Sequence, residues 1–330
     1  MTPLVTIICP VRNEEDHISE CIESLVHQTF DKNNMEILIV DGMSTDRTRE
    51  IVRKFQKKYR NIKLLDNPRS IIPVALNIGI KASSGKFILR MDGHAKAAPD
   101  YVERSIEILK NRPIDCVGGP IITLNPTDTG KAIAMAMSSP FGVGNSRFRT
   151  TQDMECLVDS VAFPAYKRDV FDKIGLFDEE LIRCQDDEFN FRLRKYGGKV
   201  LLNPSIKSYY YSRSSFKKLW QQYFGYGFWK VRLLQKHLKM MKLRHFVPAT
   251  FVTALILSLI LMLTGTSIFW FFAILITYSL ASIIAAYLIW RKNREINFVK
   301  ILISFYVLHF SYGSGFLAGL IRFAPRWFKK

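Results

Sequence analysis

Residues 246–323 are overwhelmingly apolar, with charge confined mainly to the island Arg291-Lys292-Asn293-Arg294-Glu295. Three apolar segments lie inside this stretch: Val247–Leu263, Ile268–Trp290 and Phe298–Phe323. A helix that crosses a bilayer needs about 20 such residues, so the second is a full span and the first an adequate one. The third is interrupted by Ser311-Tyr312-Gly313-Ser314-Gly315, which leaves two forms open, one long span or a hairpin bent at the glycines. Positive charge sets the orientation. Lys236–His245 is strongly basic and belongs on the cytoplasmic side, Thr264–Ser267 is uncharged and can face outward, and Arg291–Glu295 turns inward again. Three full spans would carry the basic tail Arg322–Lys330 outside, so the bent hairpin is the expected form. The chain therefore reads as an integral protein of the cytoplasmic (inner) membrane, with everything ahead of the first span in the cytoplasm.

Residues 1–215 are a different object. Leu4–Cys9 is a short β-branched run halted by Pro10, and His17–Phe30 spaces Ile18, Cys21, Ile22, Leu25 and Val26 as a helix does. Strands at Glu36–Val40, Ile62–Leu65 and Phe87–Met91 alternate with helical stretches at Thr48–Tyr59, Val74–Ala82 and Asp100–Lys110. Such alternation indicates βαβ units on a mostly parallel sheet, whose ligands sit at the carboxyl ends of the strands. Asp41 and Asp92 both stand where a strand runs out. The expected division is an α/β domain over 1–215, a basic aromatic interfacial helix region over 216–245, and the membrane region over 246–330.

The net charge of +18 is as uneven as the hydropathy. Between Glu188 and Glu295 there is no acidic residue, while Lys and Arg recur from Arg192 to Lys242, interleaved with Tyr209-Tyr210-Tyr211, Trp220, Tyr223, Phe224, Tyr226, Phe228 and Trp229. Aromatics at headgroup depth with lysines towards phosphate fit contact with membrane lipids. A basic helix packed on the domain would look the same. Nucleic acid is not the expected partner, because the basic run leads straight into membrane-length segments. The cysteines, Cys9, Cys21, Cys116, Cys156 and Cys184, are odd in number with no CxxC pair, which argues against a zinc site or a disulfide frame. Leu4–Cys9 is too short for the apolar core of a signal peptide and no basic residues precede it.

Several side chains carry chemistry. Asp92-Gly93-His94 follows the strand Phe87–Met91, so that one carboxylate and one imidazole could share a divalent cation, Mn²⁺ or Mg²⁺, although a plain turn has the same pattern. Pro10-Val11-Arg12-Asn13-Glu14 and Val40-Asp41-Gly42-Met43-Ser44-Thr45-Asp46 also follow strands and would face the same crevice. There Asp41 can accept from a uracil N–H and Glu14 from a ribose hydroxyl, whereas Asp46 reads as the cap of the helix at Thr48. Gln185-Asp186-Asp187-Glu188 opens a helix with more carboxylates than a dipole partner needs.

These motifs, with Asn77, Gly79 and Gly85, occur in the order and spacing of family 2 glycosyltransferases, and the chain resembles that family over about residues 4–235. Within it, D-G-H and Q-D-D-E are most similar to the succinoglycan-type (ExoA-like) membrane enzymes. The resemblance implies a GT-A fold followed by transmembrane helices, and an inverting transfer from a nucleotide-sugar donor, UDP-linked, to a polyprenyl-pyrophosphate-linked saccharide in exopolysaccharide biosynthesis. It implies that Pro10, Arg12, Glu14, Asp41, Asn77 and Asp92 form the donor site, with Asp92 and His94 at the metal. His94 stands where the commoner pattern has a second Asp. The family's base falls on Asp186, with Asp187 beside it as the alternative. Processive members carry Q-x-x-R-W, but Gln221–Trp229 lacks that arginine, which favours one sugar per acceptor. A synthase acting on bare polyprenyl phosphate, or a scaffold that has lost catalysis, are the competing readings; a scaffold would have shed Asp41, Asp92 and Asp186.

Overall fold

The computed structural model describes residues 2–151 and 153–327. The chain divides into two compact units, Met1–Thr123 with Arg147–Tyr211 and Leu124–Ser146 with Ser212–Lys330. The second unit thus reclaims 124–146, which the sequence placed inside the α/β domain.

In chain order the first part runs β1 (Val5–Val11), α1 (Ile18–Val26), β2 (Met35–Asp41), α2 (Thr48–Lys58), β3 (Ile62–Asp66) and α3 (Ile72–Ala82). It continues with β4 (Phe87–Arg90), β5 (Ala95–Ala97), α4 (Tyr101–Asn111), β6 (Cys116–Gly119) and β7 (Ile121–Leu124). The helices α5 (Asp128–Met137) and α6 (Pro140–Val143) belong to the second unit. The first unit then resumes with α7 (Arg147–Thr150), β8 (Cys156–Leu157), β9 (Ala162–Lys167), α8 (Asp169–Ile174), α9 (Gln185–Lys195), β10 (Val200–Leu202) and β11 (Ser208–Tyr211).

The main sheet has the order β3-β2-β1-β4-β9-β6-β10-β8, and β5-β11-β7 form a smaller one. From β3 to β4 every pairing is parallel, while β9 runs antiparallel to both β4 and β6. Alternation along β1 sends Ile7 and Cys9 to the face covered by α1 and α4, and Ile8 to the face covered by α3, α8 and α9. A strand covered on both faces has no polar side, which is why β1 and β2 read as mostly apolar runs, broken only by Thr6, Glu36 and Asp41.

Pro10 does not halt the first strand, which continues to Val11. Leu4 and Ile8 accept bonds from Phe87 and Met91 on the β4 side, whereas Val11 accepts from Gly42 on the β2 side. Even-numbered residues of β1 therefore face β4, and that pairing stops at Ile8 and Arg90. Proline's missing N–H falls where no ladder partner is left.

The second unit is helical: α10 (Phe216–Lys236), α11 (Val247–Leu263), α12 (Phe269–Trp290) and α13 (Phe298–Phe323), with α5 and α6. Among the described residues, two helices are long and apolar enough to cross a membrane by length and composition, Phe269–Trp290 and Phe298–Arg326; α11, with 17 residues, is shorter than a full span. The hairpin expected at Ser311–Gly315 is absent, because α13 is one continuous helix through the glycines. They serve close approach instead. A Cβ on Gly315 would collide with the carbonyl of Phe224 in α10, and one on Gly227 of α10 with the carbonyl of Tyr312. Small residues that let two backbones touch are the usual device for packing apolar helices. The basic helix α10 is accordingly the packed partner of α13, burying Leu219, Tyr223, Val231 and Leu234. His309 of α13 adds a polar tie, with Nδ1 2.9 Å from Tyr278 Oη and Nε2 2.9 Å from Phe141 O.

Candidate active site

The carboxyl ends of β1, β2, β3 and β4 bring Val11, Asp41, Asp66 and Arg90 to one edge of the main sheet, with Asp92 just beyond. Two loops are stitched together there. Asn13, with φ 53°, donates its N–H to Ser44 Oγ at 2.8 Å and accepts from Thr45 N–H at 2.9 Å. Asp46 accepts from Thr48 N–H at 3.0 Å and from Glu15 N–H at 3.1 Å, so it ties the start of α2 to the first loop, although the N-cap position itself falls on Arg47 and not on Asp46 as expected.

Around this frame the expected donor residues separate into engaged and accessible ones. Asp41 is fully buried; its carboxylate accepts from Ser44 N–H at 3.0 Å, Ser44 Oγ at 2.5 Å and Arg49 Nη1 at 2.6 Å. It is closed to a nucleobase in this conformation, and Arg49, which also pairs with Asp66 at 2.7 Å, stands between it and solvent. Asn77 is likewise not open to a ligand. Its Nδ2 donates to Phe177 O at 2.9 Å and Glu179 Oε1 at 3.0 Å, and its Oδ1 accepts from Phe177 N–H at 3.0 Å. The amide clips the loop ahead of α9 to α3, which is why an asparagine sits on an otherwise apolar buried face. Pro10 is buried in β1, while Arg12 is exposed and lies against Gly42.

Asp92 and His94 have different partners. His94 Nδ1 is 2.7 Å from Glu14 Oε1, and its ring meets Tyr210 edge-on. Glu14 is therefore held by an imidazole, with its side chain about one-fifth exposed. Among the described residues no group of three or more His, Cys, Asp and Glu side chains is arranged to hold a metal by itself. What is present fits a hard cation shared with a ligand: Mg²⁺ and Mn²⁺ take one or two carboxylates and complete their shell with phosphate oxygens and water. Asp92, about one-fifth exposed, is such a carboxylate, and the Glu14 contact fixes His94 in the way that carboxylates orient metal-binding imidazoles.

Asp92 itself faces Arg90, with Nε 3.0 Å from Oδ1 and Nη2 3.3 Å from Oδ2. Nη1 of the same guanidinium bonds Asp186 Oδ1. Asp186 comes from the first turn of α9, which follows Cys184 in the left-handed region at φ 64°. A non-glycine residue there costs about 1–3 kcal/mol and persists where surrounding structure imposes it. Burial pushes the Asp186 carboxyl above its ordinary value against the opposing pull of Arg90. Arg90 pays the desolvation cost of its position but is held protonated by Asp186 and Asp92. Two residues beyond Asp186, Glu188 bridges to Arg192 within the helix at 2.6 Å and is structural.

Arg90 and Arg49 were not singled out from the sequence. The signal for Arg90 was there: a charged residue inside Phe87–Met91, on the same strand face as Ile88, must have partners, since a buried unpaired charge is not tolerated.

Residues 6–175 match Glycosyl transferase family 2. The dolichyl N-acetyl-alpha-D-glucosaminyl phosphate 3-beta-D-2,3-diacetamido-2,3-dideoxy-beta-D-glucuronosyltransferase of Methanococcus voltae is 32% identical over 96% of this chain and 97% of its own. Succinoglycan biosynthesis protein ExoA of Rhizobium meliloti (strain 1021) is 31% identical over 73% of each chain. Among solved structures, the mannosyltransferase PcManGT from Pyrobaculum calidifontis, in complex with GDP-Man and Mn²⁺, superposes with a TM-score of 0.61 at 16% identity, covering 97% of this chain and 88% of that one. At that identity the likeness shows the fold.

Proposed function

Since the chain belongs to glycosyl transferase family 2, we propose that it moves one sugar from a UDP-sugar to a saccharide carried on a polyprenyl phosphate, with inversion at the anomeric carbon, at the cytoplasmic face of a membrane. The observation that carries this reading is the pairing of Asp92 and Asp186 through one guanidinium at the carboxyl edge of the sheet. In this reading one carboxylate serves the leaving group and the other the incoming hydroxyl.

Asp186 takes the acceptor's proton as the acceptor oxygen bonds to the anomeric carbon and the nucleoside diphosphate departs on the opposite face. Its raised proton affinity suits that role, because a base that holds a proton too weakly removes none. Asp92 is where the diphosphate is anchored. Asp92 would hold the divalent cation, which when bound would supply the charge neutralisation that makes the diphosphate a leaving group. In this reading Arg12, exposed beside Gly42, and the Glu14–His94 pair serve the nucleoside.

The acceptor class is supported by the Methanococcus voltae relative, whose named substrate is a dolichyl glycosyl phosphate. That name also shifts the expectation from a pyrophosphate link to a phosphate link. The β-linkage in the same name is what inversion of an α-linked donor produces. The two apolar helices and the basic α10 fit a lipid-borne acceptor.

The test is UDP release by the detergent-solubilised full chain, with glycosylated polyprenyl phosphate or with bare polyprenyl phosphate as acceptor. The proposal expects Mn²⁺- or Mg²⁺-dependent release with the glycosylated lipid and a product one sugar longer. Turnover only on the bare lipid would make the protein a polyprenyl-phosphate sugar synthase, and full turnover in excess chelator would remove the cation.

A further inference from the structure

Arg90 has no role in the steps above. Its Cα is fixed at the carboxyl end of β4, opposite Ile8 of β1, and its side chain is only 10% exposed. A guanidinium keeps its charge at every pH a protein meets, and its planar fork can hold a carboxylate by both oxygens. Here it contacts both Asp92 oxygens and, through the remaining nitrogen, Asp186. Two carboxylates drawn to one spot repel each other unless a cation lies between them. The site therefore already contains a cation, built into β4, on the carboxylate that a metal would use.

We propose that Arg90 is the resident counter-cation of this site: it holds Asp92 and Asp186 together in the donor-free protein and competes with the divalent cation for Asp92, so that metal is taken up there only along with the donor's diphosphate. This rests on the reading of Asp92 as the carboxylate that shares a cation with the donor. A metal alone must displace a two-point, charge-assisted contact. A metal arriving with a diphosphate brings its own oxygens and repays that loss. Nη1 can stay on Asp186 throughout, so the base keeps its partner while Asp92 changes hands. Arg90 is thus a positioning residue that links donor arrival to the state of the base.

The experiment is Mn²⁺ binding to the full chain in detergent, followed by electron paramagnetic resonance, with and without UDP, for the wild type, Arg90→Gln and Arg90→Lys. The wild type should bind Mn²⁺ weakly alone and more tightly with UDP. Arg90→Gln should bind Mn²⁺ alone more tightly than wild type, by about tenfold or more if the fork is worth an ordinary charge-assisted contact. Arg90→Lys, a point charge without the fork, should fall between, and it carries the test with the same sign if Arg90→Gln does not fold. A merely structural arginine would give weaker or unchanged metal binding when removed. Unchanged or weaker Mn²⁺ binding by a folded variant, with the wild type still binding Mn²⁺ in the presence of UDP, overturns the competition alone. Absence of Mn²⁺ binding in wild type and variants even with UDP overturns the metal reading of Asp92 and the competition with it.

Discussion

The two ends of the same strands treat carboxylates in opposite ways. Towards the amino end, Glu36 of β2 is buried and accepts from Thr6 Oγ1 at 2.8 Å, Ser84 N–H at 2.7 Å and Ser84 Oγ at 2.8 Å, with Lys63 at 3.3 Å. Small neutral donors and one lysine close the site, and although desolvation is the largest single influence, these hydrogen bonds hold Glu36 below its ordinary value. At the carboxyl end, burial pushes Asp186 up, opposed by the one guanidinium it pairs with and helped by the nearby charges of Asp92 and Asp187. A carboxylate ringed by fixed donors is committed to its charge and belongs to the fold. One whose only strong partner is a shared cation can still exchange a proton, and belongs to the chemistry.

That contrast can be broken from either end. The largest effect is expected for Asp186→Asn, which should lower kcat by about 10²–10⁴-fold, the usual weight of a general base, with the thermal unfolding transition retained. The pH profile carries the same sign. The base works ionised, so a raised Asp186 places the acid limb of kcat/KM above the range of an ordinary aspartate, and activity should fall on acidification before the fold does. Glu36 runs the other way: its lowered value contributes stability above the unfolded carboxylate range, lost as pH drops through the folded value. Glu36→Gln should accordingly cost about 1–3 kcal/mol of stability, as a buried network losing an acceptor does, and leave kcat unchanged. A Glu36→Gln protein of normal stability and low turnover would erase the distinction. The smallest effect is expected for Asp187→Asn. A helix turns about 100° per residue, so the neighbour cannot share Asp186's direction, and kcat should change only a few-fold. If Asp187→Asn is the inactive variant, the base is the adjacent residue.

How much of this was legible in the sequence follows from the kind of signal involved. The alternation of β1 to β4 with α1 to α4 depends on local periodicity, and it was readable to within a few residues. The end of β1 was misjudged because Pro10 blocks a ladder only if its N–H has a partner, and that depends on where β4 stops. Gly313 and Gly315 read as a bend because glycine permits both bending and contact; only the presence of α10 alongside decides between them. The helices α5 and α6 were not assigned. Ala132, Ile133, Ala136 and Met137 pack with Leu219, Tyr223, Phe305 and Leu308, residues far away in sequence. At the site, the order of motifs singled out Asp92, Glu14 and Asp186, but not whether a side chain is open. Asp41 and Asn77 match the pattern of a donor site, yet one is closed by Arg49 and Ser44 and the other is a clip on Phe177.

The central claim is a division of labour between Asp92, which anchors the donor, and Asp186, which acts on the acceptor. Equilibrium binding of UDP to the full chain in the presence of Mn²⁺, compared between wild type, Asp92→Asn and Asp186→Asn, tests it most directly. Both substitutions are nearly isosteric. The account predicts that Asp186→Asn binds UDP within a few-fold of wild type while Asp92→Asn loses most of its affinity. Normal UDP affinity in Asp92→Asn, or its loss in a well-folded Asp186→Asn, would contradict it.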